Sequence, residues 1–173
     1  FFAIFFSHHA LAVVNSDILS SHEMEEYILE KLAYNEKIDE IAFKINNQFK
    51  DKCLNKKKDL GLRFISKKEI NKQLSSIGGT GLFNKIKKNN YKAYSNIVGD
   101  INNKEVRVLY AIKGTDAFKV GIEKGSQIIS IDGKKNFNIS NILKSTKKEI
   151  RLKISNGNST SDINIKLQQV CDL

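Results

Sequence analysis

The side chains that could do acid–base, nucleophilic or metal chemistry are few and scattered along this sequence. His8 and His9 lie in an apolar amino-terminal run, and His22 stands alone where a helix is expected to begin. They do not combine with other residues into an HExxH motif, a Ser-His-Asp set or a cysteine–histidine pair. The carboxylates of Glu25-Glu26 and Asp39-Glu40 have the spacing of a solvated helix surface. We therefore expect no catalytic residue, no metal ligand and no cofactor in this chain.

The charge is strongly basic, +10 over 173 residues, but it comes almost entirely from lysine. Only three of the 29 basic residues are arginine, the side chain that nucleic-acid binders use for bidentate phosphate and guanine contacts. Lysine, asparagine and isoleucine are abundant and proline is absent, as AT-rich coding produces. The densest lysine runs leave contact with anionic lipids or acidic proteins open. We predict no nucleic-acid partner.

The amino terminus, FFAIFFSHHALA, has the composition of the apolar half of a secretion signal. It ends in an A-x-A cleavage pattern at Ala10 and Ala12. We therefore expect residues 1–14 to be a signal-peptide remnant and the protein to be exported to the periplasm or envelope. A buried helix start or a membrane anchor is the alternative, and the missing initial Met suggests a fragment.

The strongest helical signal lies between Ser21 and Cys53. Its apolar residues fall at i, i+3, i+4, i+7 and i+11, which makes one stripe of an amphipathic helix: Ile38, Ile41, Ala42, Ile45 and Phe49. Beyond it the sequence predicts a strand at Leu60–Ile65, a short helix over residues 66–74 and a second helix over residues 84–98. Residues 15–98 are thus expected to form a helical amino-terminal region with one short strand.

The segment Val106 to Gly133 has a definite backbone role for each of its parts. Its first residues alternate as in a half-buried strand, and Thr115 or Asp116 can cap a helical turn. A second, apolar strand closes on Asp132-Gly133, a strong two-residue hairpin signal. Glycines that admit a left-handed backbone mark the turns: Gly114, Gly121, Gly125 and Gly133.

This order of parts resembles the bacterial PDZ pattern of a strand, a GSPA-like turn, AGI, GD and IDG. Here GTDA stands for GSPA, VGI for AGI and Gly125-Ser126 for Gly-Asp. A short helix near Ser140 and alternating strands at Glu149–Ser155 and Asp162–Leu167 complete a domain over residues 99–167. The resemblance implies an α+β fold, a helical segment with a short strand followed by a PDZ-like β-barrel or sandwich with two short helices. Another small β-rich domain with a DG hairpin is the alternative.

The PDZ resemblance implies a groove for extended peptides or unfolded protein segments, which add to the edge of a strand. We expect it between the strand Val106–Ala111 and the helix near Ser140, lined by Val106, Val108, Tyr110, Ile139, Ile142 and Leu143. The GxGΦ loop that would bind a carboxylate is replaced before this strand by Asn96 to Asp100. Asp100 is negatively charged and would repel a carboxylate. Residues 79–83 match the GxGΦ pattern, but they lie more than twenty residues before this strand. Weak or no preference for free C-termini is therefore expected.

The two cysteines, Cys53 and Cys171, lie far apart in the sequence. Cys53 ends the predicted helix, and Cys171 lies just beyond the last predicted strand. An oxidising compartment would allow them to form one disulfide across the whole unit. Two unrelated free thiols are the alternative.

The whole arrangement resembles the amino-terminal half of exported HtpX-like zinc metallopeptidases that carry PDZ domains. The resemblance rests on a helix with Ile38 and Ile41 followed by Cys53, the strand Leu60–Leu62, the PDZ segment and a cysteine shortly after it. In that family an HExxH domain follows the PDZ domain. The resemblance therefore implies that residues 168–173 begin a linker to a missing catalytic domain, which would carry the zinc. The chain itself would be a peptide-binding regulatory region.

Three alternatives stay open at this point. The PDZ region could belong to a tail-specific or HtrA-like serine peptidase, or it could be part of a stand-alone envelope adaptor or scaffold. A nucleic-acid binder has the charge but not the motifs.

Overall fold

A computed structural model describes residues 19–74, 80–101, 105–135, 137, 139–157 and 159–171. The signal-peptide interpretation of residues 1–14 lies outside these ranges. Along the chain the elements are α1 (Ser21–Phe49), β1 (Lys56–Asp59), β2 (Leu62–Ser66), α2 (Lys67–Leu74), α3 (Thr80–Val98), β3 (Val106–Ala111), α4 (Asp116–Lys119), β4 (Gln127–Ile131), α5 (Ile139–Lys144), β5 (Glu149–Asn156), β6 (Ser159–Lys166) and β7 (Gln168–Cys171).

The strands form two antiparallel sheets. Five of them make one sheet in the order β2-β3-β4-β5-β6, and β1 pairs with β7 in a separate ribbon. The predicted α+β class is confirmed, although within the described residues the larger sheet is open and does not close into a barrel. The boundary expected between residues 98 and 99 stays a prediction, but β2 and β3 lie on either side of it and pair in one sheet.

Two apolar cores lie on opposite faces of the β2–β3 pair. The sheet core fills one face and contains Leu62, Val108, Ile128, Ile131, Ile150, Leu152, Ile154 and Ile165. The helical core joins α1, α2 and α3 to the other face and contains Met24, Ile28, Leu32, Ile65, Ile70, Leu74, Ile86, Tyr94, Leu109 and Tyr110. The amino-terminal helices are therefore docked directly on the sheet.

Helix α1 begins with a capping box. The Ser20 hydroxyl accepts a hydrogen bond from the Glu23 amide at 3.2 Å, and the Glu23 carboxylate accepts one from the Ser20 amide at 2.8 Å. The helix is confirmed, but its buried residues all lie in its first half: Met24, Ile28 and Leu32. The apolar stripe of the second half stays largely at the surface, with Ile41, Ile45 and Phe49 between 43% and 48% exposed.

The local turns follow the sequence closely. Asp132 and Gly133 both have positive φ, 50° and 78°, as a type I′ hairpin turn requires. The amides and carbonyls of Ile131 and Lys134 are paired across this turn at 3.0 and 3.1 Å. Gly121, at φ 76°, ends α4 and donates its amide hydrogen to the Phe118 carbonyl at 3.1 Å. Both glycines thus occupy the left-handed positions that the sequence predicts.

Valine at position 121 or 133 should lower the free energy of unfolding. No atom lies within 4 Å of a Cβ built at either glycine, so the cost is backbone strain alone, more than about 1 kcal/mol for a β-branched residue. Urea denaturation of Gly121→Val and Gly133→Val measures this loss. Lys134→Val is the matched control, because Lys134 is exposed and has no positive φ. A wild-type denaturation midpoint in either glycine variant would contradict the turn assignment.

Cys53 and Cys171 lie at disulfide distance. Their Cα atoms are 5.6 Å apart, within the range that a disulfide bridges. Cys171 is the last residue of β7 and pairs in register with Lys56 of β1. The bond therefore joins the segment after α1 to the end of the β1–β7 ribbon.

Candidate peptide-binding edge

The expected groove strand, β3, has no free edge. It pairs with β2 on one side and with β4 on the other. Val108 is fully buried in the sheet core, and Val106 is half-buried against it. Tyr110 lies in the helical core on the opposite face. The placement of the peptide on the strand Val106–Ala111 stays a prediction, and β4 pairs with the first residues of that strand.

A bulge explains why the alternation predicted for β3 breaks. The register between β2 and β3 shifts at Arg63 and Phe64, and a bulge of this kind turns successive side chains onto the same face. Leu109 and Tyr110 consequently both point into the helical core. The Tyr110 hydroxyl donates to Asp39 Oδ2 at 2.7 Å. Burial and this hydrogen bond raise the pKa of Tyr110 well above its ordinary value.

The strand that does form an edge is β2. Among the described strands it pairs with β3 only, so no strand pairs with its outer side. Leu62 and Phe64 contact the sheet core, whereas Ile65 contacts the helical core. The edge is thus held rigidly by packing on both of its faces.

Helix α5 contributes apolar groups to the same sheet core that β2 packs on. Ile142 and Leu143 are half-buried and pack against the same core as Phe64; the Ile139 side chain lies outside the described part. Lys58, in β1, donates to the Ser145 carbonyl, and to the Lys147 carbonyl at 2.6 Å. These bonds fix the end of α5 to the ribbon that leads into β2.

The loop before β2, Leu60-Gly61-Leu62, matches only the second half of the GxGΦ pattern, because Asp59 stands where its first glycine would be. Gly61 has φ 70°, and its carbonyl accepts a hydrogen bond from the Ile112 amide at 2.8 Å. A Cβ at Gly61 would meet the side chain of Thr115 at 2.6 Å. Only glycine fits between β2 and the turn that begins α4.

The Gly61 amide already has an anionic partner within the chain. It donates to Asp59 Oδ1 at 2.6 Å. The same carboxylate pairs with Arg63 NH1 at 3.2 Å. The amide that could receive a ligand carboxylate is therefore already bonded to a carboxylate of the chain. The candidate loops at residues 96–100 and 79–83 do not precede the edge strand.

Arg63 connects this edge to α1. Its NH2 group lies 2.8 Å from Asp39 Oδ1, and Asp39 also accepts from Tyr110. Burial alone would lower the pKa of Arg63, but the carboxylates of Asp59 and Asp39 outweigh burial and raise it. A cleft beside this network is lined by Asp39, Phe43, Asn46, Asp59, Arg63 and Gln168. Helix α1 is thus ionically coupled to the edge strand.

The four turn glycines and both cysteines lie where the sequence places them, outside this edge. Gly114, Gly121, Gly125 and Gly133 all have positive φ. In the part of the chain that the structure describes, no three His, Cys, Asp or Glu side chains converge as a metal site. No helix of that part is long and apolar enough to cross a bilayer.

Comparisons with known proteins find similarity among solved structures only. No family model matches this chain, and neither does any curated protein. Among solved structures, it is similar to a PDZ domain protein from Parabacteroides distasonis ATCC 8503, with 16% sequence identity and a TM-score of 0.42. The match covers 68% of this chain and 21% of that protein, so the chain spans about a fifth of its length.

Proposed function

We propose that this chain is a PDZ-like peptide-binding region that receives an extended peptide on the outer edge of β2, beside α5. The observation that carries the proposal is the free edge of β2 next to half-buried apolar groups. Backbone hydrogen bonds along the edge would supply affinity for any extended segment. Phe64, Ile142 and Leu143 would contact alternate side chains of that segment.

The opposite edge of the sheet is less suited to this role. Strand β6 also lies at the end of the sheet order, but the Lys166 amide is bonded to Asp116 Oδ2 at 2.8 Å. Six of the eight residues along β6 are serine, threonine, aspartate, asparagine or lysine, and most of the strand is exposed. Polar, exposed edge strands of this kind resist pairing.

Peptide binding by fluorescence polarisation tests the site directly. Phe64→Ser should weaken the binding of an extended apolar peptide about tenfold, because half of a large side chain's contact is lost. Ile163→Ser is the matched control, since Ile163 is also half-buried against the sheet core but lies on β6. Peptides N-methylated at alternate residues should bind in only one of the two registers. Equal loss in both side-chain variants would remove the proposed site.

Free C-termini should gain little at this site. Since Asp59 already accepts the Gly61 amide, C-terminal amidation of the peptide should change its affinity less than about twofold. Asp59→Ala removes that internal anion and should create a preference for free carboxylates. Strong wild-type binding that disappears on amidation would contradict this assignment of the loop.

We further propose that the region belongs to an exported bacterial peptidase, a zinc metallopeptidase whose catalytic domain follows it. The paired cysteines support an oxidising compartment such as the periplasm or envelope. Partners would then be unfolded protein segments and the catalytic domain, with zinc held by the latter. Sequencing beyond Leu173 tests this: HExxH supports the metallopeptidase, a Ser/Lys or Ser/His/Asp set supports a serine peptidase, and a stop codon supports an adaptor.

A further inference from the structure

The second half of α1 carries an apolar face that touches neither core. We define the α1 seam as Tyr34, Ile38, Ile41, Ile45 and Phe49. Tyr34 is 64% exposed, and Ile41, Ile45 and Phe49 are 43%, 47% and 48% exposed. At 3.6 residues per turn the five side chains fall within an arc of about 80°. The centre of the buried face of α1 lies roughly 100° around the helix from the centre of this arc.

The spacing of the α1 seam favours another helix as its occupant. From Tyr34 to Ile45 the intervals are four, three and four residues, which is the repeat of a coiled-coil contact. A helix that lies in a membrane surface usually has a broader apolar face than this narrow arc. Three isoleucines supply the branched side chains that pack well in such contacts.

The charges beside the seam select an acidic partner. Lys37 and Lys44 line one flank, with side chains 69% and 65% exposed. They share a single carboxylate, that of Glu40, at 3.8 and 2.7 Å, so the flank keeps a positive charge. Near the start of the seam Glu30 and Lys31 are both exposed and carry opposite charges, so the positive charge of the flank comes from Lys37 and Lys44. Carboxylates on a partner helix would pair with these lysines.

A second copy of this chain does not provide those carboxylates. An antiparallel pair centred on the seam would bring Lys37 and Lys44 of each helix together. A parallel pair would place them beside Ala42 and Phe49 of the other helix. Neither arrangement gains an ion pair along the seam.

We propose that the α1 seam docks an acidic amphipathic helix of another protein. Its apolar residues would repeat every three and four positions, and its flanking residues would be glutamate or aspartate. This surface is separate from the β2 edge, so the chain would hold an extended peptide and a helical partner at the same time.

A synthetic helix tests the proposal with the full chain. The probe is a 21-residue peptide with Ile and Leu at the coiled-coil positions and Glu at the flanks. It should bind, and added salt should weaken it. Ile41→Ser combined with Ile45→Ser should reduce its affinity at least about tenfold, because two half-exposed isoleucines lose their contact. Phe118→Ser with Val120→Ser is the control, since those residues are 45% and 41% exposed elsewhere.

Charge reversal separates the ionic contribution from the apolar one. Lys37→Glu with Lys44→Glu should weaken the Glu-flanked peptide several-fold and strengthen a Lys-flanked version of it. Three outcomes would overturn the proposal. The acidic peptide does not bind, or the chain forms a dimer that Ile41→Ser with Ile45→Ser abolishes. The third is that the chain floats with anionic vesicles and the same two substitutions abolish flotation. Thermal melts that match the wild type show that these surface variants fold.

Discussion

Gly61→Ala is expected to destabilise the protein by roughly 3 kcal/mol or more, because two penalties coincide at this position. The backbone has φ 70°, which strains any residue with a Cβ. The new Cβ would also lie 2.6 Å from the side chain of Thr115, which is 1% exposed and cannot move aside into solvent. The Thr115 hydroxyl donates to the Ile112 carbonyl at 2.7 Å and caps α4. A shift of Thr115 would therefore disturb the start of α4 as well.

Gly121→Ala is the matched control for this prediction. Gly121 has a similar φ, 76°, but no atom lies within 4 Å of its Cβ position. Gly121→Ala should lower the free energy of unfolding by about 1 kcal/mol, the cost of the left-handed backbone alone. Urea denaturation of both variants gives the difference, which measures the contact with Thr115. Equal losses would show that the loop before β2 relaxes and that Gly61 is not clamped.

Loss of the disulfide should lower the free energy of unfolding at least as much as Gly61→Ala does. Cys53 and Cys171 are separated by 118 residues, and closing a loop of that size restricts the unfolded chain by about 4 to 5 kcal/mol in the entropic model. Small domains have total stabilities of about 5 to 15 kcal/mol. The denaturation midpoint should therefore fall sharply when the wild-type protein is reduced.

The cysteine variants provide the controls for that measurement. Cys53→Ser, Cys171→Ser and the double variant should share one lowered midpoint, because each removes the same covalent link. Reductant should then have no further effect on any of them. A wild-type midpoint that does not respond to reductant would contradict the disulfide, and the support it gives to an exported location would be lost.

Local features of this fold could be read from the sequence. The Asp132-Gly133 hairpin and the Gly121 turn depend on backbone conformations that only a few residue types adopt. The residue types at these positions were therefore enough to predict both turns. Helix α1 was predictable for a similar reason, since its periodicity and the Ser20 cap are contained in neighbouring residues. These features need no knowledge of distant parts of the chain.

The edge strand could not be placed in this way. β2 and β3 are neighbours in the sheet, but α2 and α3 lie between them in the sequence. Strand pairing across such an insertion depends on packing in both cores rather than on local letters. Only part of a local signal was present, because Leu60-Gly61 leads into β2 but lacks the first glycine of the GxGΦ pattern. Periodicity likewise marked the α1 seam as apolar but could not show that α1 packs through other residues.

The pairing of β1 with β7 has a consequence for biosynthesis. Lys56 of β1 lies opposite Cys171 of β7. Strand β1 therefore cannot pair until β7, the last described strand, has been synthesised. Strands β4, β5 and β6 follow one another in the sheet and can form a meander as soon as they emerge. A partly synthesised chain would therefore have an assembled meander, an unpaired amino-terminal strand and a free Cys53 thiol. Completion of the ribbon, followed by oxidation, would mark the end of folding.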